Sequence, residues 1–112
     1  MVQIENLVSA PIIFKNENIS MYSIVKEHYT KKITIDEIIQ ILRVKSSLIE
    51  EWIQYSENRR TPSGWCIENY FFGYIVYYNN KGISRNKKYF FNKLEATAFF
   101  IYEELDDILK NS

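Results

Sequence analysis

Apolar residues recur at helical spacing through the first half of the chain. In the first such stretch Met21, Ile24, Val25 and His28 lie at positions i, i+3, i+4 and i+7, which places their side chains on one helical face. Two later stretches repeat this spacing. The pattern therefore predicts three helices, over about residues 20–30, 34–43 and 46–57.

Polar residues at the starts of these stretches support the helical prediction. Thr34 with Glu37, and Ser47 with Glu50, have the spacing of capping boxes, in which a hydroxyl and a carboxylate satisfy each other's free backbone amides. Asn92 is a candidate cap for a further helix near the end of the chain.

Beyond residue 63 the apolar period shortens from 3.6 residues to 2, the period of a strand. The segment 79–82, Asn-Asn-Lys-Gly, is typical of a tight hairpin turn, because Asn and Gly tolerate positive φ. Neighbouring parallel strands need a long crossover, usually a helix, and no helix fits between these strands. The strands must therefore be antiparallel. The predicted strands cover about residues 64–69, 72–78 and 83–91.

The last stretch returns to helical spacing over about residues 93–110. We expect this helix to pack on the antiparallel sheet, which gives an α+β fold and a single domain over residues 1–112. The pattern of residues 1–16 fits a short strand or a helical turn, and we expect this arm to pack onto the core.

Composition narrows the functional classes. Fourteen bases balance fourteen acids, which argues against a general nucleic-acid or membrane-surface binder. One cysteine excludes an internal disulfide and fits a reducing compartment. The first residues lack signal-peptide features, and no apolar run approaches the roughly 18 residues of a spanning helix. We therefore expect a cytoplasmic protein without a membrane partner.

Charge is unevenly distributed along the second half of the chain. Five bases lie between residues 81 and 93 with no acid among them. The last helix then carries a cluster of acids that we expect to face outward, opposite its apolar stripe: Glu103, Glu104, Asp106 and Asp107. These are either two solvated faces or a surface that docks an oppositely charged partner.

Few residues suggest catalysis. His28 lies on an apolar helical face and Cys66 at a strand start, in separate elements without a local nucleophile signature. The three glycines are isolated, so no phosphate-binding loop is present. We expect no enzymatic activity, no cofactor and no metal.

Residues 34–57 offer an alternative function. Two short helices joined by a turn of about three residues resemble the helix-turn-helix of small DNA-binding regulators and excisionases. The second helix would present Glu50, Glu51 and Glu57 to the DNA, and phosphates repel carboxylates. Charge therefore disfavours this alternative.

The stretch from Tyr55 to Cys66 joins the helical and strand halves and contains both adjacent arginines. Arg59 and Arg60 suit the free carbonyls at a helix end. Alternatively, they form an exposed patch with Tyr55 and Trp65, of the Arg–aromatic kind that anchors protein interfaces.

The run Tyr-Ser-Glu-Asn-Arg-Arg-Thr-Pro-Ser-Gly-Trp from Tyr55 resembles the small immunity proteins of bacterial polymorphic toxin systems. The tyrosine-rich strand pair and the run Lys-Leu-Glu-Ala-Thr-Ala-Phe-Phe-Ile-Tyr-Glu-Glu-Leu from Lys93 share in this resemblance, which covers roughly residues 34–109. It implies a non-enzymatic cytoplasmic protein, encoded beside a toxin, that binds the toxin's C-terminal domain and blocks it. Toxin-contacting residues do not transfer by position, because such families vary at their binding faces.

Many of these toxins are basic nucleases, so an acidic surface is the natural docking face. We expect the four clustered acids of the last helix, 103, 104, 106 and 107, to contact the partner first, and Arg59, Arg60, Tyr55 and Trp65 second. A second acidic candidate is the set Glu50, Glu51 and Glu57. The protein is a monomer or a homodimer, since tyrosine-rich edge strands can pair while exposed lysines hinder such pairing.

Overall fold

The computed structural model describes residues 2–29, 32–58 and 63–110, except for the side chains of Val2 and Gln3. These ranges form six helices and three strands, and the predicted α+β fold is confirmed. The elements are α1 Val2–Val8, α2 Ala10–Glu17, α3 Met21–His28, α4 Ile35–Val44, α5 Ser47–Asn58, β1 Ser63–Tyr70, β2 Gly73–Asn80, β3 Ile83–Phe90 and α6 Lys93–Lys110.

The arm at the start of the chain is helical. Ile4, Leu7 and Val8 of α1 are buried, so this segment belongs to the core. Pro11 lies in the first turn of α2, where a helix needs no backbone N–H, and it therefore starts a new helix rather than ending structure. Asn18 closes α2 with φ 54°, the left-handed conformation of many helix ends.

The capping box predicted at Thr34 is confirmed. The Glu37 N–H donates to the Thr34 hydroxyl at 3.2 Å, and the Thr34 N–H donates to the Glu37 carboxylate at 2.9 Å. The Asn92 cap is also confirmed, because its side-chain oxygen accepts from the Glu95 N–H at 3.1 Å.

The capping box predicted at Ser47 is wrong. Ser47 is itself the first residue of α5, and the Glu50 carboxylate accepts a hydrogen bond from Lys93 instead. The backbone closes the turn into α5, where the Leu48 N–H donates to the Lys45 carbonyl at 3.0 Å.

The strands form an antiparallel sheet in the order β1-β2-β3. Lys81 and Gly82 form the predicted tight turn between β2 and β3, with φ 53° and 92°, as a type I′ hairpin requires. The register of β2 and β3 shifts between Val76 and Tyr78, close to Asn86, which has φ 55°. This irregularity resembles a β-bulge and re-aims the first half of β3.

Helix α6 packs on one face of the sheet and links it to the helical layer. Phe100, Ile101 and Leu105 of α6 are fully buried. Trp52 of α5 is also fully buried, and its indole N–H donates to the Val8 carbonyl at 2.7 Å, which ties α5 to α1. Among the described residues, no helix has the length and apolar character needed to cross a membrane.

Candidate protein-binding surface

The four clustered acids in the second half of α6, Glu103, Glu104, Asp106 and Asp107, do not share one outward face. Glu104 is only 2% exposed, and the Tyr55 hydroxyl donates to its Oε2 at 2.6 Å. The expectation that Glu104 faces outward is therefore wrong. Helix α6 is covered by the sheet on one side and by helices on the other, so a wider arc of it is buried than its apolar stripe alone indicates.

The other three members of this cluster, Glu103, Asp106 and Asp107, are partly exposed. Asp106 forms an ion pair with Lys110 one turn later, at 3.0 Å. Burial raises the pKa of Glu103, and the nearby Asp106 charge raises it further. The face of α6 that carries Glu103, Asp106 and Asp107 remains negatively charged, but Lys110 neutralises part of that charge.

Trp65 does not belong to an exposed Arg–aromatic patch. Trp65 is only 8% exposed and packs edge-on against Tyr78 and Phe99, with ring centroids 5.7 and 6.1 Å away. Its expected exposure is wrong, because β1 places it on the sheet face that α6 covers. Arg59 and Arg60 lie outside the described residues.

A cluster of aromatic side chains projects from one end of the sheet, where the β1–β2 turn meets the residues that follow β3. We call it the aromatic tip; its members are Tyr70, Phe71, Phe72, Tyr89 and Phe91. Phe71, Phe72 and Phe91 are 87, 94 and 90% exposed, whereas most phenylalanine side chains of folded domains are largely buried. The ring of Tyr70 contacts those of Phe71 and Tyr89, at centroid distances of 4.6 and 5.2 Å.

Two unusual backbone positions build the aromatic tip. Phe71 has φ 52°, in the left-handed region that Gly and Asn favour and that bulky residues rarely adopt. A Cβ at Gly73 would lie 2.1 Å from the Phe90 carbonyl oxygen, so only glycine allows β2 and β3 to approach here.

A shallow cleft of about 230 Å³ opens within the aromatic tip. Gly73, Tyr74 and Phe90 complete its walls, so its lining is almost entirely aromatic. Concave apolar sites of this kind accept an apolar group of a ligand or partner.

The sheet face opposite α6 leads into the aromatic tip. On this face Tyr77 donates from its hydroxyl to Glu68 at 2.5 Å, and Ile75 lies buried between neighbouring side chains. Burial, and then the hydrogen bond to Glu68, raise the pKa of Tyr77 well above its ordinary value. Cys66 lies directly opposite Tyr77 in the register of β1 and β2.

The edge of the sheet formed by β3 carries positive charge. No acid occurs between residues 71 and 94, which contain five bases. Lys88 lies over the Phe99 ring at 5.2 Å, and Lys93 pairs with Glu50. Lys81, Arg85 and Lys87 are exposed, and within the described ranges no acid pairs with them.

The second acidic set lies on α5. Glu50 and Glu51 pair with Lys93 and Lys15 respectively. Glu57 is exposed beside a polar cleft of about 150 Å³ between α5 and β1. Since the exposed side chains of α5 include Glu50 and Glu57 but no base, DNA binding by residues 34–57 stays a prediction that charge disfavours.

Sequence reasoning missed the aromatic tip. The available signal was Phe71-Phe72 between two alternating strands, where Gly, Asn or Asp normally forms the turn.

His28, the candidate histidine, is partly buried on α3 with its Nε2 3.7 Å from the Glu27 carboxylate. The described residues contain no group of three or more His, Cys, Asp or Glu side chains placed to hold a metal ion.

Comparison with known proteins gives no family for this chain. No protein-family model, no curated protein and no solved structure matches it.

Proposed function

We propose that this chain is a non-enzymatic binding protein that docks a partner protein, and that it acts as an immunity protein which binds and blocks a bacterial toxin domain. The aromatic tip carries the proposal. Contiguous exposed apolar surface on a small domain marks an interaction site.

The aromatic tip is costly for the isolated domain. A left-handed conformation costs a residue with a Cβ roughly 1–2 kcal/mol, and Phe71 gains little burial in return, because it is 87% exposed. Asn or Gly would make this turn with less strain. The advantage of phenylalanine at this position therefore lies in contacts made outside the chain.

The aromatic tip also suits a tight complex. Large aromatic side chains dominate the binding energy of protein interfaces when a partner surrounds them and excludes water. Tyr70 lies on β1 and Tyr89 on β3, both of which pair with β2, and Gly73 allows β2 to lie close to β3. Since the sheet fixes the bases of these side chains, little conformational entropy is lost on binding.

Acidic surfaces have a supporting role in this proposal. Glu103, Asp106 and Asp107 on α6, together with Glu57 on α5, attract a basic toxin from a distance and speed association. Close contact at the aromatic tip then sets the lifetime of the complex.

The test is co-purification with the product of the neighbouring gene. We expect a stable complex whose affinity falls at least about 100-fold in the double variant Phe71→Ser/Phe72→Ser. Phe14→Ser is the matched control, because Phe14 is an exposed phenylalanine on α2, and it should leave the affinity unchanged. Absence of any complex would refute the immunity function; a complex that ignores the tip variant would refute the assigned surface.

A further inference from the structure

We infer that the partner, although basic overall, supplies an acidic, extended segment that pairs with the open edge of β3 and places an apolar side chain in the cleft of the aromatic tip. This inference rests on the proposed function in taking the partner to be a protein. It adds the chemistry and the secondary structure of the segment that is recognised.

The first ground is the open edge of the sheet. β3 is the last strand in the order β1-β2-β3, and within the described ranges no strand pairs with its other side. Every residue from Ile83 to Tyr89 is exposed. An edge strand presents unpaired N–H and C=O groups, and an added strand gains affinity by bonding to them.

The second ground is charge. Arg85 and Lys87 lie on β3, and Lys81 lies in the turn before it, with no acid between residues 71 and 94. A segment beside β3 therefore meets positive charge, which favours carboxylates opposite it. A second copy of this chain is disfavoured, because antiparallel pairing of two β3 strands would bring like charges together.

The third ground is continuity between the strand and the cleft. β3 ends at Phe90, which lines the cleft together with the next residue, Phe91. A strand along the eight residues of β3 spans about 26 Å, so its end reaches the cleft. The cleft is concave, which suits one inserted side chain, whereas membrane insertion needs only convex apolar protrusions.

Two synthetic peptides test this inference. Each has about ten residues, the length of a typical strand, in which Glu or Lys alternates with Val, and each has Phe at both ends so that either orientation offers a Phe to the cleft. The amide resonances of the isotope-labelled full chain are followed during titration. We expect saturable shifts along 83–91 and in the aromatic tip with the Glu peptide, and about tenfold weaker binding of the Lys peptide.

Charge reversal sharpens the test. Arg85→Glu/Lys87→Glu should invert the preference, so that this variant binds the Lys peptide better. Lys32→Glu/Arg43→Glu makes the same change in net charge at exposed positions outside β3, and it should keep the original preference. Equal binding of both peptides, shifts outside β3 and the tip, or no saturable shift would overturn the inference.

Vesicles of phosphatidylcholine and phosphatidylglycerol test a lipid occupant. Shifts of the tip resonances with these vesicles but not with the Glu peptide would overturn the inference in favour of a membrane surface. If the Glu peptide binds as expected while the neighbouring gene product does not bind, the inference stands and the immunity function fails. If the toxin binds but the β3 reversal leaves its affinity unchanged, the immunity function stands and the inference fails.

Discussion

Phe71 combines a strained backbone with an exposed side chain. Replacing it by Asn should raise the free energy of unfolding by about 1 kcal/mol, because Asn tolerates φ 52° at lower cost. Urea unfolding followed by tryptophan fluorescence measures this change. Phe72→Asn is the matched control: Phe72 is at least as exposed as Phe71 but lies outside the left-handed region, so its replacement should change stability little. Equal effects at both positions would contradict the strain argument.

The Tyr55–Glu104 hydrogen bond lies between α5 and α6. Tyr55→Phe removes a donor from a carboxylate that is 2% exposed, and it should lower the free energy of unfolding by about 1–3 kcal/mol. Denaturant unfolding provides the measurement. Tyr89→Phe serves as the control, because Tyr89 is 56% exposed and should change stability by less than about 0.5 kcal/mol. An unchanged Tyr55→Phe variant would show that this bond contributes nothing net.

Tyr77 gives the sheet an alkaline pH dependence. Its pKa is higher in the folded chain than in the unfolded chain, so its contribution to stability is complete below the ordinary phenol value and is lost as pH rises through the raised pKa. Titration by tyrosinate absorbance should show one phenol ionising after the exposed tyrosines. Glu68→Gln should lower the Tyr77 pKa only in part, since burial is the larger cause. A pKa that returns fully to the ordinary value would contradict this ranking.

Long periodic elements of the fold followed from the sequence. The apolar stripes of α3 to α6 and the alternation in β2 depend on local spacing, and the caps at Thr34 and Asn92 depend on neighbouring residues, so both could be predicted. α1 and α2 could not, because the pattern of residues 1–16 fits a short strand as well as a helical turn, and Pro11 resembles a break in structure until its place in a first turn is known.

The candidate site was predicted less well, and the reason is tertiary packing. Glu104 resembles its acidic neighbours in sequence, and only the arrangement of sheet and helices around α6 makes it a buried acceptor. Trp65 lies near the start of a strand, where its exposure cannot be judged from the sequence. Only the pairing of Trp65 with Tyr78 shows which face of the sheet it occupies. The aromatic tip requires two distant segments, the β1–β2 turn and the residues after β3, to meet.

Helix α5 depends on α1 for one buried hydrogen bond. Trp52→Phe removes the donor to the Val8 carbonyl and leaves a cavity, which should cost about 2–4 kcal/mol of stability. Hydrogen exchange should speed up in α1 and α5 together in this variant. Exchange that speeds up in α5 alone would show that the bond does not couple the two helices.

At the scale of the whole molecule, apolar exposure is concentrated at one end. Retention on a phenyl column should therefore fall clearly in Phe72→Ser/Phe91→Ser, because these side chains are 94 and 90% exposed. Val44→Ser is a control at a different exposed apolar position, on α4, and it should reduce retention less. Similar losses in both variants would show that the aromatic tip is no more accessible than other apolar surface.

The position of the aromatic tip has a consequence for how this fold can diversify. Phe71, Phe72 and Phe91 contribute almost nothing to the buried core, whose members come from the helices and the inner face of the sheet. These three positions can therefore change in related chains while the scaffold persists, provided that Gly73 is kept for its close approach to Phe90. A library randomised at these positions should yield mostly folded proteins with altered binding preferences, so the same domain can be retargeted from one partner to another.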